Sequence, residues 1–386
     1  MPTAIIVGAG TAGLCTHLTL RQAGFEVRHF ERKDTVEERG GNLAVWSNGG
    51  RVLAELGLGP RLAEVGNAPA GFSTYDTAGK LVSRVEYAPV TERMGMPMYM
   101  IPRAHIQGML LDVVGHDHLE LGVACTGIEQ DASGVTATLD DGRRVTADVL
   151  VGADGVWSTI RPQVTPEVSR RYVGITIWTG WMPDNGFLEE YSPNPRSMIE
   201  FWGPGRRLAI LPSGRDHVGF TFIMRAVEDL VVEDPYGWLR EKFADSHPVV
   251  EQIFERLKGE EIIRWPVYDL PPLERWSDGR VVLLGDAAHA ASPTLGQGAG
   301  MAMEDAYVLA QCLSDTGTPI PERLVEFERR RRDRVEMISA ESRVRSVATT
   351  EPDPERLTAI QDAIRGGTPW ALLNGIVELV SGGPLH

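Results

Sequence analysis

Three stretches of the chain end an apolar run with glycine and a carboxylate. Gly8-Ala9-Gly10-Thr11-Ala12-Gly13 follows Ala4–Val7 with the spacing G-x-G-x-x-G, and Glu31 closes the next apolar run 18 residues beyond Gly13. Gly152-Ala153-Asp154-Gly155 follows Val149–Val151, with Ser158, Thr159 and Arg161 just beyond. Gly285-Asp286 follows Val281–Leu284 and leads to Pro293, Gly296, Gly298 and Gly300. The first set allows a tight turn, close passage of a pyrophosphate and helix–strand packing, and an acid at that distance suits a ribose hydroxyl. The third leaves a carboxylate at a strand end, then glycines before a helix whose N–H groups attract negative charge. Together they describe a site for something large, polar and partly anionic, a description that redox flavins meet.

The elements that must hold these loops follow from periodicity. Ala4–Val7 and Phe25–Phe30 read as strands flanking a helix over Leu14–Ala23, which Gly24 ends. Residues 40–50 read as a loop before a helix from about Arg51 to Leu56, and 72–97 as short strands broken at Asp76–Gly79. A helix over Ala104–Val114 precedes strands at Leu119–Thr126, Val135–Leu139 and Arg144–Val145, joined by Asp/Gly turns of the hairpin kind. From Arg171 to Ile263 the residues alternate, as in strands with two unlike faces, with helical pieces at Pro235–Phe243 and His247–Leu257. A helix begins at Met301, a long helical region follows Ala306, and one or two further helices end the chain. The fold class is therefore α/β. A Rossmann-like nucleotide-binding domain takes residues 1–72, 98–170 and 275–340, an inserted, mainly antiparallel β-sheet domain takes 73–97 and 171–274, and a C-terminal helical segment takes 341–386.

Composition narrows the partners. Against 38 basic residues stand 53 acidic ones, a net charge of −15, which disfavours nucleic acid and anionic membrane and suits an enzyme of small molecules. Cys15, Cys125 and Cys312 have no metal-binding spacing, so reduced thiols, a cytoplasmic location and no metal are expected. No signal peptide precedes the first strand, and no apolar run is long enough to span a bilayer. The expected state is a monomer or homodimer.

Taken in order, GAGTAG with Glu31, the run Gly152–Arg161, and Gly285-Asp286-Ala287-Ala288-His289 resemble the three motifs of the single-component FAD-dependent aromatic hydroxylases. That group has the p-hydroxybenzoate hydroxylase fold, a GR2-type flavoprotein architecture. Within it, Val45–Gly49, Ile101–Ala104, Tyr172–Gly174, Trp178–Gly180 and Ser381–Leu385 are similar to the bacterial FAD-dependent urate hydroxylases. The chain is also similar to the 6-hydroxynicotinate and salicylate hydroxylases. The resemblance covers nearly the whole chain. It implies FAD as cofactor, NADH or NADPH as transient reductant, O2 as cosubstrate, and oxygen transfer through a flavin C4a-hydroperoxide to an electron-rich aromatic small molecule.

The same resemblance implies roles for residues. Gly8, Gly10, Gly13 and Glu31 would hold the ADP half of FAD, with Thr11, Ala12, Arg32 and Cys125 in the cofactor-binding set. Arg103 would reach the cofactor from the start of its helix, and Asp154 would serve both FAD and the nicotinamide. Gly285 and Asp286 would meet the ribitol or pyrophosphate. Gly296, Gln297, Gly298 and Ala299 would face the flavin pyrimidine, and Pro293 would border the space over the flavin.

Substrate choice rests on fewer residues. Arg207 falls where the urate-type enzymes carry an arginine important for turnover, suited to a carboxylate or to a carbonyl of an anionic ring. The urate pattern has a tyrosine in the next strand, where this chain places Gly219, with His217 and Phe220 beside it. His217 is a candidate for deprotonating a phenol. Trp46, Trp178, Trp181 and Trp202 could stack on a ring or pack a core. Met94, Met96, Met98 and Met100 could line an apolar pocket or fill gaps. His289 is expected to pack or hydrogen-bond near the cofactor, and the five arginines between 329 and 334 to form a solvated or ion-paired helix face. The alternative activities are oxygenation of a larger polycyclic molecule and a flavin reductase that does not oxygenate.

Overall fold

Short β-branched runs without charges belong between two covered faces, in the middle of a parallel sheet. In the computed structural model, which describes residues 1–36, 41–166, 168–192, 194–257, 262–367 and 369–385, they are found there. Gly40, the first residue of the expected loop, lies outside the described residues. The six-stranded sheet has the order Ser277–Asp278, Val281–Leu283, Val149–Gly152, Thr3–Val7, Glu26–Glu31, Glu120–Leu121. All its pairs are parallel except the first. Val7 lies opposite Gly152, and Gly152 opposite Leu283, so the three strands end level. The loops that follow them leave one edge side by side, the edge at which open α/β sheets bind ligands.

The alternating stretch builds a seven-stranded sheet, in the order Ile263–Asp269, Arg171–Pro183, His217–Arg225, Arg206–Ser213, Met198–Gly203, Gly71–Asp76, Leu81–Glu86. It is antiparallel except where Met198–Gly203 meets Gly71–Asp76. One face buries Trp178, Leu208, Phe220 and Phe222 against the helices Pro235–Lys242 and Val249–Arg256. Burial of such a side chain contributes roughly 1.5–3 kcal/mol, so this face anchors the sheet. The alternate positions turn toward the loops of the first sheet, where Thr179 meets Gly41 and Arg207 reaches Thr294.

Two expectations fail between residues 40 and 97. Asn42–Val45 is a strand, because Tyr99–Pro102 pairs with it from far along the chain. The next helix starts at Ser47 and contains two glycines expected in the loop. Their lack of a side chain serves packing, since a Cβ would fall 2.9 Å from Met303 Sδ at Gly49 and 2.5 Å from Met96 Sδ at Gly50. Likewise Ala88–Met94 is a helix within the stretch expected to hold short strands. The helix Gly298–Leu313 begins before Met301, and the helix Ile320–Ala348 runs unbroken through the division expected at 340. No helix among the described residues is long and apolar enough to cross a membrane.

Candidate functional site

Two cavities meet along the level edge of the parallel sheet. One, of about 480 Å³, is lined by Gly8, Gly10, Glu31, Arg32, Cys125 and Asp154. The other, of about 250 Å³, is lined by Thr11, Ala12, Asp286, Pro293, Gly296, Gly298 and Ala299, and by Asn42, Leu43 and Ala44 of the unforeseen strand. Gly10, Arg103, Ala153 and Gly155 border both, so the two form one elongated trench.

The glycine turn is shaped by close approach. Gly8 has a φ of +105°, and a Cβ on Gly13 would sit 1.8 Å from the Gly8 carbonyl oxygen. Nothing lies within 4 Å of a Cβ at Gly10, where the backbone faces open space. Behind the turn, His29 Nε2 donates to the Gly8 carbonyl at 2.9 Å, and His29 Nδ1 lies 3.3 Å from His17 Nδ1. Burial pulls the His29 pKa down to about 4 and that of His17 down to about 3, so both rings are neutral at neutral pH.

Two carboxylates of the trench, Glu31 and Asp154, are oriented by backbone N–H groups. Glu31 accepts from Ala9 at 2.7 Å and from Lys33 at 3.0 Å. Asp154 Oδ2 accepts from the N–H groups of Thr159 and Ile160 at 2.6 and 3.2 Å, which leaves its Oδ1 buried without a partner. Arg161 donates to the carbonyls of Ala287 and Val156 at 3.1 and 2.9 Å, tying two strand-end loops together. Cys125 donates its thiol to Gly127, and burial raises its pKa. Exposed glycine backbone, an orphaned carboxylate oxygen and an arginine spanning both compartments fit a dinucleotide such as FAD.

Gln297 is buried and is held from the side by residues that sequence reasoning missed. Asn48 Nδ2 lies 3.1 Å from Gln297 Oε1 and 2.6 Å from Glu304 Oε1. Glu304 pairs with Arg331 and Arg334, Arg331 pairs with Asp305, and Asp305 accepts from His289 Nε2 and from the Gly285 N–H. Burial pushes both acids up, but their partners prevail, the Arg334 and Arg331 guanidiniums at Glu304, the His289 ring and the Arg331 guanidinium at Asp305, so both carboxyls stay below their ordinary range. Arg331 is only 2% exposed, so the expected solvated face fails for it, while the ion-paired reading holds. His289 makes the hydrogen bond expected of it.

Above the trench, Arg207 is buried on the inward face of the large sheet. Its Nη1 donates to both oxygens of Glu200, at 2.9 and 3.0 Å, and its Nη2 reaches Thr294 Oγ1 at 3.4 Å, beside Pro293. Trp202 Nε1 also donates to Glu200, at 2.6 Å. Trp46 lies edge-on to Tyr87 and backs Gly296, in an apolar cluster with Met94, Met98 and Met100. Trp178 belongs to the core on the opposite face.

His217 does not join this group. Ser213 pairs with His217 and Arg207 with Ile223, a six-residue offset that puts about 20 Å of strand between Arg207 and His217. His217 packs edge-on against the exposed Trp181 instead, with ring centroids 4.8 Å apart.

Residues 1–342 match the family described as FAD binding domain. The chain is 33% identical over 389 residues to the FAD-dependent urate hydroxylase of Mycolicibacterium vanbaalenii, covering 99% of this chain and 97% of that one. It is 35% identical over 312 residues to 3-amino-4-hydroxybenzoate 2-monooxygenase of Streptomyces cremeus, covering 80% of this chain and 77% of that one. The structure of Klebsiella pneumoniae HpxO complexed with FAD and uric acid aligns with a TM-score of 0.93 at 31% identity, over 100% of this chain and 98% of that one.

Proposed function

Because the chain belongs to the FAD binding domain family and is an FAD-dependent monooxygenase of aromatic or heteroaromatic small molecules, we propose that its substrate turns a carbonyl or hydroxyl oxygen toward Arg207. A free carboxylate is not the group recognised there. The Glu200–Arg207 pair carries this reading. With both Glu200 oxygens on Nη1, the guanidinium is charge-balanced before any substrate enters. A second carboxylate would meet Glu200 at low dielectric, where like charges repel strongly. A carbonyl or hydroxyl oxygen needs only N–H donors, and Arg207 Nε is buried without a partner.

Bound in the trench, FAD supplies hydride acceptance from NADH or NADPH and activation of O2 for transfer to the ring. The side chains and backbone of the trench position and shield it. Gly8, Gly10 and Gly13 let the backbone pass along the pyrophosphate, with Thr11 and Ala12 at the first helical turn. Glu31 and Asp154 accept from hydroxyl groups at the ADP end, beside Arg32 and Cys125. Arg103 reaches from one compartment to the other, and Gly285 and Asp286 meet the central part of the cofactor. Gln297, Gly298 and Ala299 would offer backbone N–H groups where negative charge gathers on reduction, while Gly296, whose own N–H donates to the Pro293 carbonyl, shapes the turn before them. Pro293 and the Trp46 cluster border the reacting space and keep water from it.

Anaerobic absorbance of the FAD-loaded protein on mixing with NADH or NADPH tests the proposal. Uric acid and 4-quinolones should speed flavin bleaching and give an oxygenated product when air is admitted. Salicylate and 3-amino-4-hydroxybenzoate should do neither. Acceleration by the carboxylated rings alone would overturn it.

A further inference from the structure

A separate cavity of about 160 Å³ shares no lining residue with the trench. Leu270, Pro271, Leu273, Trp276 and Val335 give it mostly apolar walls. Arg171, Asp269, Glu336 and Arg343 also line it, Asp269 paired with both arginines, and of the remaining polar groups His289 Nδ1 and Ser339 Oγ are buried atoms without a hydrogen-bond partner. His289 is 7% exposed. Its Nε2 donates to Asp305 Oδ2 at 2.6 Å, and Arg331 balances that carboxylate, so the ring is fixed with Nδ1 left over. Trp276 lies beside the same imidazole, with centroids 5.1 Å apart.

Size and polarity together select a ligand class. An apolar cavity of about 150 Å³ stays dry and takes benzene, so one six-membered ring fits this volume. Buried polar atoms require partners, and here the two residues that carry them line one small space. A hydroxyl on the ring satisfies His289 in either protonation state, donating to a neutral Nδ1 or accepting from a protonated one, and it pairs with Ser339 as well.

We propose that this cavity is a binding site for small phenols, distinct from the substrate position in the trench. Its occupant is linked to the cofactor loop through few bonds. His289 lies on the Asp286–His289 helix, and the Asp305 oxygen that holds His289 also accepts from the Gly285 N–H at 3.0 Å.

Crystals of the FAD-loaded protein soaked with 4-bromophenol, with bromine located by its anomalous signal, provide the test. Bromine should appear in the cavity with the phenol oxygen in hydrogen-bond reach of His289 Nδ1 or Ser339 Oγ. Bromine in the trench alone, water alone in the cavity, or no bromine would overturn the proposal. In solution, calorimetric titration of the holoenzyme with phenol supplies an independent reading. Ser339→Leu fills the cavity and should abolish one class of phenol site while FAD content and nicotinamide-driven reduction stay at parent levels. Ser339→Ala keeps the volume and should weaken that site roughly three- to tenfold, the effect of one hydrogen bond. Parent-like phenol affinity in both variants also overturns it.

Discussion

Asn42 stands where a side chain at Gly219 would have to go, since a Cβ on Gly219 would fall 1.9 Å from Asn42 Nδ2. The Asn42 carboxamide accepts from the Ser213 hydroxyl one strand away, and the residue also lines the trench. The resemblance to the urate hydroxylases implies a tyrosine where this chain has Gly219, and a residue from the two-stranded ribbon crosses into that space.

Gly219→Tyr should therefore destabilise the protein through overpacking, by about 1–3 kcal/mol. Adding Asn42→Gly should recover much of that loss, because the two residues compete for one volume and their effects are non-additive. Thermal unfolding of both single variants and the double variant measures the coupling. Strict additivity would mean that Asn42 is not the obstacle.

Arg207→Gln should keep FAD bound while abolishing substrate-stimulated flavin reduction. It also leaves Glu200 buried without its cation, and breaking a buried pair in this way costs about 3–5 kcal/mol. Glu200→Gln has a different expected outcome. It leaves the Arg207 charge unbalanced and should shift preference toward carboxylated rings. The ratio of kcat/KM for salicylate to that for a carbonyl-bearing ring should rise in Glu200→Gln and stay near parent in a control such as Glu251→Gln, an acid on the helix Val249–Arg256 that pairs with Arg240.

The three loops of the trench were legible because their signals are local. A glycine spacing, an acid a fixed distance on and an apolar run before each are all contained in short windows. Registers and long-range pairings were not. Arg331 reads as one of five arginines on a helix, and only packing against Glu304 and Asp305 makes it the buried one. Asn42 and Asn48 lie in a glycine-rich stretch that looks like a loop until Tyr99–Pro102 pairs with it and Met303 packs on Gly49. His217 and Arg207 sit on neighbouring strands of one face, yet the antiparallel register carries them to opposite ends.

Asn48 is the bridge between Gln297 and the buried charges, so its chemistry matters more than its size. Asn48→Asp would set a carboxylate against Glu304 at the 2.6 Å contact now made by an N–H donor. Like-charge contact in a buried site should loosen the Gln297 segment and raise the FAD dissociation constant about tenfold or more, a change of roughly 1.4 kcal/mol. Asn48→Ala, which removes the donor without adding charge, should have the smaller effect. Titration of apoprotein with FAD, followed by flavin fluorescence, ranks the two.

Acid should weaken the fold in two stages. In the unfolded chain a histidine takes up a proton below its ordinary value of 6.5, whereas in the folded chain His29 does so only near 4 and His17 near 3. Across that interval the unfolded state binds more protons, so stability is full above pH 6.5 and declines as the pH falls toward 4 and then 3. Asp305 and Glu304, both held below the ordinary carboxyl range, add their loss below about pH 4, where the unfolded carboxyls become protonated and the folded ones do not. Urea midpoints measured at pH 7, 5.5, 4.5 and 3.5 separate the stages. His29→Gln keeps an N–H donor for the Gly8 carbonyl but removes one titrating ring, so its midpoint should fall less steeply from pH 6.5 to 4 and in parallel with the parent below that. A parent protein whose stability is flat between pH 7 and 4.5 would contradict the neutral histidine pair behind the glycine turn.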